Sequence, residues 1–370
     1  MKFFDLLAQD FPIKDGIEAR INKVISHGQF IMGPEVRELE ESLTHYLNGT
    51  QCVTCGNGTD ALQLALIALG IGEGDIVFTT AFSFFATAEV IASVGASPYF
   101  VDIDEATFNI SADQLELAIA ECATSTSGTP KALIVVDIFG LPADYERLQS
   151  LCNANNLRLI ADGAQSFGAQ IAHRKAGSFG DIATTSFFPA KPLGCYGDGG
   201  AVFSKDNELL EIVRSLRIHG KGKDKYDNIR IGMNSRLDTI QAAVLLEKLP
   251  HLAQQIQQRD QIITRYKRHL SDKFQFQHAP EGYVSAHAQC SLMCKAQNRS
   301  TVLERLQQAQ IPYQIYYPTP LNKLPPMQKY PAGDCSVTEK VCRSVFSIPC
   351  HSVLNDTQID NIIQVLSDLS

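Results

Sequence analysis

The sequence predicts an α/β fold: a large domain with a mainly parallel seven-stranded sheet flanked by helices, then a smaller C-terminal α+β domain. Three observations carry this expectation. From about residue 51 short apolar runs alternate with helical patterns, the order of repeated βαβ units. The runs are continuously apolar, as in Ala132-Leu133-Ile134-Val135-Val136, which marks strands buried on both faces. After Phe203 the alternation gives way to helices around a charged, glycine-bearing loop, and domain boundaries fall where pattern and composition shift.

In order, an extended lead precedes a helix over 13–27, where Ile17, Ile21, Val24 and Ile25 recur at helical spacing. Gly28, Gly33 and Pro34 break it, and a second amphipathic helix spans 35–47. A strand over 52–55 leads through Gly56-Asn57-Gly58-Thr59-Asp60 into an apolar helix over 61–69. Strand 75–82 is followed by a helix over 86–94. Strands 98–102, 132–136, 157–161, 184–188 and 201–204 complete the set. The serine- and threonine-rich stretch 124–129 reads as a loop. Residues 207–218 are helical and 220–228 form the charged loop. Residues 237–268 form one long helix, or two broken near Pro250. The expected division is therefore 1–250 for the large domain and 251–370 for the small one.

The chain of 370 residues is 45% hydrophobic and 19% charged, with a net charge of −8. This is a globular composition, and the acidic balance argues against a nucleic-acid partner, which asks for a basic face. No apolar run is long enough to span a bilayer. The start, Met1-Lys2-Phe3-Phe4-Asp5, lacks the order of a signal peptide, so a cytoplasmic protein is expected. There are ten cysteines. Neither Cys52-x-x-Cys55 nor Cys290-x-x-x-Cys294 is followed by partners at zinc spacing, so they read as small buried apolar residues and no metal site is expected.

The chemistry gathers around Ser186-Phe187-Phe188-Pro189-Ala190-Lys191-Pro192-Leu193-Gly194 and the glycines after it. Pro192 keeps Lys191 out of helical dihedrals and on a turning loop. Apolar surroundings lower a lysine's pKa, which makes it nucleophilic enough to form a Schiff base with a carbonyl. Four further features fall at or next to strand ends, where ligands of open α/β sheets bind. Asn57-Gly58-Thr59-Asp60 opens a helix, whose free N–H groups bind phosphate. The same stretch fits G-x-G-x-x-A, but the acid a dinucleotide site wants at the end of the next strand is absent: Glu73 and Asp75 lie at its start. Asp162 ends a buried strand, and a buried carboxylate needs a partner. That partner is either a local turn or helix cap, or a cation such as the protonated ring nitrogen of pyridoxal phosphate (PLP). Gln165 stands three residues on, within reach of the phenolic oxygen of such a cofactor. Phe82 is placed to stack on its ring and Ser186 to bind its phosphate.

These residues together resemble the DegT/DnrJ/StrS-type nucleotide-sugar aminotransferases, fold-type I PLP enzymes. The resemblance runs through Asn57-Gly58-Thr59-Asp60-Ala61-Leu62, Asp162-Gly163-Ala164-Gln165-Ser166-Phe167-Gly168, the Lys191 loop, Arg217-Ile218-His219-Gly220 and Asn234-Ser235-Arg236-Leu237-Asp238. It implies that Lys191 is the Schiff-base lysine and that Asp162 faces the pyridine nitrogen. Phe82 then lies on the ring, with Gly58, Thr59, Asp60 and Ser186 near the phosphate. It further implies that Asn234 reaches the phosphate of a neighbouring subunit, giving a homodimer with shared sites. His219, Arg236, Tyr316 and Tyr317 are the implied substrate residues. Within the family the chain is most similar to aminotransferases of UDP-2-acetamido-2-deoxy-3-oxo-glucuronate in surface-polysaccharide synthesis, with L-glutamate as amino donor. One departure is Tyr316-Tyr317, where relatives often carry histidine-tyrosine. The alternatives are another 3- or 4-keto UDP or dTDP sugar, a PLP sugar dehydratase, which carries histidine in place of the lysine, and a regulator that kept the fold without activity.

Overall fold

The computed structural model describes residues 1–369 except 126, 225 and 297. Thr126, in the expected loop 124–129, lies outside the described residues, as does Lys225 in the charged loop. Among the described residues, thirteen strands follow in chain order. They are β1 (Gln51–Cys55), β2 (Asp75–Thr80), β3 (Ser97–Val101), β4 (Thr129–Val136), β5 (Arg158–Asp162), β6 (Gln170–Ile171), β7 (Arg174–Lys175), β8 (Ile182–Ser186), β9 (Gly200–Ser204), β10 (Phe274–Phe276), β11 (Tyr283–Val284), β12 (Cys290–Cys294) and β13 (Val345–Ile348). Seven form one sheet in the order β1-β9-β8-β5-β4-β2-β3. The β8–β5–β4–β2–β3 pairings are parallel, whereas β9 runs antiparallel to both β8 and β1. Six strands therefore share one direction, and their C-terminal ends share one edge.

The continuous apolar runs are explained by two cores, one on each face. Along β4, Leu133 and Val135 enter one core, and Ala132, Ile134 and Val136 the other. Helices Pro34–Tyr46, Ala112–Ser125 and Tyr145–Ala154 cover the first face, and Gly58–Ala68, Ala86–Ser93 and Asn207–Leu216 the second. All ten cysteines are free and buried.

A second, antiparallel sheet, β10-β12-β13, has its own core around Tyr266, Phe274, Leu292, Leu306, Phe346 and Ile362. The stretch expected as one or two helices is Thr239–Lys248, a 3-10 turn over Leu249–His251 holding Pro250, and Leu252–Leu270. Proline suits that first-turn position because it has no N–H to satisfy. Leu252 and Ile256 belong to the large core and Ile262 to Leu270 to the small one. Where an extended lead was expected, Leu6–Asp10 is a short helix. Asp5 caps it by accepting the Ala8 N–H at 3.3 Å.

Two contacts bring the C-terminal part onto the strand-end edge. Asp102, just past β3 and 3% exposed, accepts the N–H groups of Val337 and Thr338 and the Thr338 hydroxyl. It thereby caps helix Ser336–Ser344 from another element. The Leu321 N–H donates to the Ala81 carbonyl at 2.8 Å, which lays residues 315–321 across the end of β2. Among the described residues, no helix is long and apolar enough to cross a membrane.

Candidate active site

The strand ends and the 315–321 segment enclose a cavity of about 950 Å³, lined among others by Asn57, Gly58, Thr59, Asp60, Asp162, Gln165, Ser186, Lys191, Tyr316 and Tyr317. That is the size of a small-ligand site. Each polar group is placed by a local cause. Asn57 caps helix Gly58–Ala68, its Oδ1 accepting the Asp60 N–H at 2.8 Å, while its carbonyl accepts the Ala61 N–H. This leaves the Gly58 and Thr59 N–H groups without an intrahelical partner, at the positive end of the helix dipole. The glycine at 58 is required by close approach: a Cβ there would sit 2.7 Å from the Ser186 Cβ. The helix end and the Ser186 hydroxyl thus converge on one spot, fit to hold a phosphate.

Past Ser186 the chain turns. The Lys191 N–H donates to the Phe188 carbonyl at 2.8 Å, and Gly194 packs where a Cβ would lie 2.4 Å from the Pro189 carbonyl oxygen. This compact loop points a half-buried Lys191 into the cavity. Burial pushes the lysine below its ordinary pKa, with Asp162 acting against that shift. Asp162 is 6% exposed, and its Oδ1 accepts the Ala164 N–H at 3.0 Å. Burial pushes its carboxyl up, while the Ala164 N–H and the Lys191 charge pull it down. Gln165 is fixed at both ends: its Oε1 accepts the Phe139 N–H at 2.6 Å, and its Nε2 donates to the Tyr317 hydroxyl at 3.3 Å. Behind Asp162, the Asp137 carboxylate accepts from Ser166 Oγ, Tyr145 Oη and the Ala143 N–H, and its own N–H donates to the Asp162 carbonyl. Burial pushes Asp137 up to about 7.

One expected contact is corrected. Phe82 does not face the cavity: it is 1% exposed, edge-on to Phe139 at 5.8 Å and to Tyr317 at 6.0 Å between ring centroids. Strand β2 stops at Thr80, whose Oγ1 accepts the Phe82 N–H, and the chain turns before reaching the cavity. Phe84, 59% exposed, and the half-buried Phe85 line the cavity instead. Also unforeseen on the wall are Phe4, Ser83 and Gln289. Asn234, Arg236 and His219 do not line this chain's cavity. Asn234 and His219 are exposed. Arg236 Nε is buried without a hydrogen-bond partner, and Arg236 forms none of the ion pairs among the described residues. Nor does Asn234 cap the next helix, which begins at Thr239 after Asp238. Between them Ser235 is buried, its Oγ accepting the Gly56 N–H at 2.9 Å, which pins this segment to the end of β1.

The model of the DegT/DnrJ/EryC1/StrS aminotransferase family matches residues 12–367. The chain belongs to this family. It is 40% identical over 375 residues to the UDP-2-acetamido-2-deoxy-3-oxo-D-glucuronate aminotransferase of Pseudomonas aeruginosa, with 100% of each chain covered. It is 38% identical over 365 residues to the UDP-N-acetyl-3-dehydro-alpha-D-glucosamine 3-aminotransferase of Acidithiobacillus ferrooxidans, covering 98% of this chain and 96% of that one. The crystal structure of a DegT DnrJ EryC1 StrS aminotransferase from Brucella abortus superposes with a TM-score of 0.97 at 45% identity, covering 99% and 98% of the two chains. Membership makes this chain a PLP-dependent aminotransferase, as the resemblance implied. The residues present fit that cofactor. A helix end with two free N–H groups beside a hydroxyl suits its phosphate, a buried carboxylate its ring nitrogen, and a desolvated lysine its carbonyl.

Proposed function

We propose that the enzyme takes the amino group of L-glutamate and places it on the 3-keto carbon of UDP-2-acetamido-2-deoxy-3-oxo-glucuronate, acting in the cytoplasm as a homodimer. The observation that carries this reading is the convergence of Lys191, Asp162 and the Gly58–Ser186 cradle on one cavity, in a chain similar over its full length to an aminotransferase of that sugar. The Acidithiobacillus relative, named for a 3-dehydro UDP-sugar, supports the same carbon.

The Gly58 and Thr59 amides and the Ser186 hydroxyl would hold the cofactor phosphate, and Phe84 would cover a ring face. Asp162 would keep the ring nitrogen protonated, and Gln165 would donate to the phenolic oxygen. Bound there, PLP supplies an electron sink that lets the carbon bearing the amine release its proton. Lys191 would hold the cofactor through Nζ, and its free amine would serve as the base and acid that moves the proton at the carbon bearing the amino group. Its lowered pKa keeps the amine basic yet available. L-Glutamate leaves as 2-oxoglutarate. The acceptor's carbonyl oxygen leaves as water when the amino group arrives, so the kinetics are ping-pong. Asn234, Arg236 and His219 are assigned to a neighbouring subunit's site. We place the domain division near residue 250, supported by the separate core around β10, β12 and β13.

The test is a panel. The PLP-loaded enzyme is given L-glutamate and a set of keto UDP- and dTDP-sugars, and the amino sugars formed are identified by mass. The reading expects the 3-oxo-glucuronate to be preferred. Preference for a 4-keto sugar, or loss of a hydroxyl without gain of nitrogen, would overturn it.

A further inference from the structure

Phe4 lies ahead of residue 12, where the family match begins, yet it lines the active-site cavity. Its position is fixed on both sides. The Lys2 carbonyl accepts from His351 Nε2 at 3.3 Å. Asp5 caps helix Leu6–Asp10, and that helix ends in a buried ion pair, Asp10 to Lys248 at 2.9 Å. Gln9 is tied to Gln255 on the long helix. Between these fastenings, Phe3 packs edge-on to Phe4 at 4.9 Å and against Tyr316 at 6.3 Å. Tyr316 in turn meets Tyr317 at 5.8 Å, and Tyr317 holds Gln165. A continuous line of contacts therefore runs from the reacting centre outward to the N-terminal segment. The nearby wall is mostly apolar as well: Ile315, Pro318, Leu321 and Leu324, with Thr319 and the two tyrosine hydroxyls as its polar groups.

Phe4 and these apolar side chains offer no hydrogen bond to phosphates or sugar hydroxyls, which need such partners when desolvated. The base is the flat aromatic part of a nucleotide sugar, and bases stack on aromatic side chains. We propose that Phe4 is a specificity-determining residue that contacts the pyrimidine ring of the amino acceptor and takes no part in handling the amino donor. This rests on the acceptor being a nucleotide sugar. Phe4 serves the second amino transfer and is idle in the first.

The test uses the PLP-loaded enzyme and its Phe4→Ala and Phe4→Tyr variants with three readouts: 2-oxoglutarate released in a single turnover with L-glutamate, kcat/KM for the nucleotide sugar, and the dissociation constant of UDP by calorimetry. Phe4→Ala is expected to leave the L-glutamate step within about twofold, while weakening UDP binding and lowering acceptor kcat/KM about tenfold, the size of one stacking contact. Phe4→Tyr should retain all three. Unchanged UDP binding and acceptor kinetics in Phe4→Ala overturn the assignment, as does an equal fall in both amino transfers, which would mark Phe4 as structural. A wild-type enzyme that accepts nitrogen from L-glutamate but passes it to no nucleotide sugar overturns the reading of function and this proposal together.

Discussion

Phe82 and Phe84 stand two residues apart in opposite surroundings, and the contrast predicts separable defects. Phe82→Ala removes a ring buried between Phe139 and Tyr317 and should cost about 3–5 kcal/mol of stability. Phe84→Ala should barely move the melting temperature yet weaken retention of the cofactor, measured by its dissociation constant. Equal effects on both quantities would contradict the assignment. Asp137 gives a pH signature. Burial raises its folded value from the ordinary 3.8 to about 7, so the native state favours the protonated acid. The stability from that proton is full below 3.8 and lost as the pH rises through about 7. Asp137→Asn imitates the protonated acid at all pH values. Its stability advantage over wild type should therefore grow across that window to roughly 4 kcal/mol, whereas a pH-independent difference in denaturation midpoint would refute this. At this scale the lysine loop, Asp162 and the Gly58 cradle were legible because proline, glycine and a strand-ending carboxylate act through local chain geometry. Phe84 was not legible. Three phenylalanines share Phe82-Ser83-Phe84-Phe85, and the turn at Thr80–Phe82 buries the first while Phe84 and Phe85 line the cavity.

Among elements, the cap on helix Ser336–Ser344 is one of the joins that hold the 315–344 region to the sheet edge. Asp102→Ala removes an acceptor of two N–H groups and a hydroxyl and should lower stability by about 1–3 kcal/mol, read from denaturant midpoints. Asp102→Asn should recover part of that loss. An unchanged Asp102→Ala midpoint would show the cap to be incidental. The sheet was readable because strands buried on both faces are apolar without interruption. Helices Ala112–Ser125 and Tyr145–Ala154 escaped the sequence reading. The first presents Leu115, Ala118 and Cys122 to the core, a stripe of mostly small residues with weak periodicity, and the second is short. Helix Leu6–Asp10 depends on the Asp10–Lys248 pair, which no local pattern announces. The same holds for Tyr316 and Tyr317, set in place by the Ala81–Leu321 hydrogen bond between distant parts of the chain.

At the scale of the whole molecule, the exposed Asn234, held on a segment pinned by Ser235, predicts sites completed by a second copy. Mixing inactive Lys191→Ala protein with protein carrying a bulky residue at Asn234, and letting subunits exchange, should restore activity, because one site in each mixed dimer then carries neither lesion. No recovery despite proven exchange would contradict shared sites. The central claim is that the Lys191 cavity moves nitrogen from L-glutamate to a keto UDP-sugar. Its most direct test supplies L-glutamate with an isotope-labelled amino group and UDP-2-acetamido-2-deoxy-3-oxo-glucuronate, and follows the label into the sugar by mass spectrometry. The account predicts labelled amino sugar from the wild type and essentially none from Lys191→Ala. An unlabelled sugar with wild type, or Lys191→Ala turning over within about tenfold of it, a barrier change of only about 1.4 kcal/mol, would contradict it.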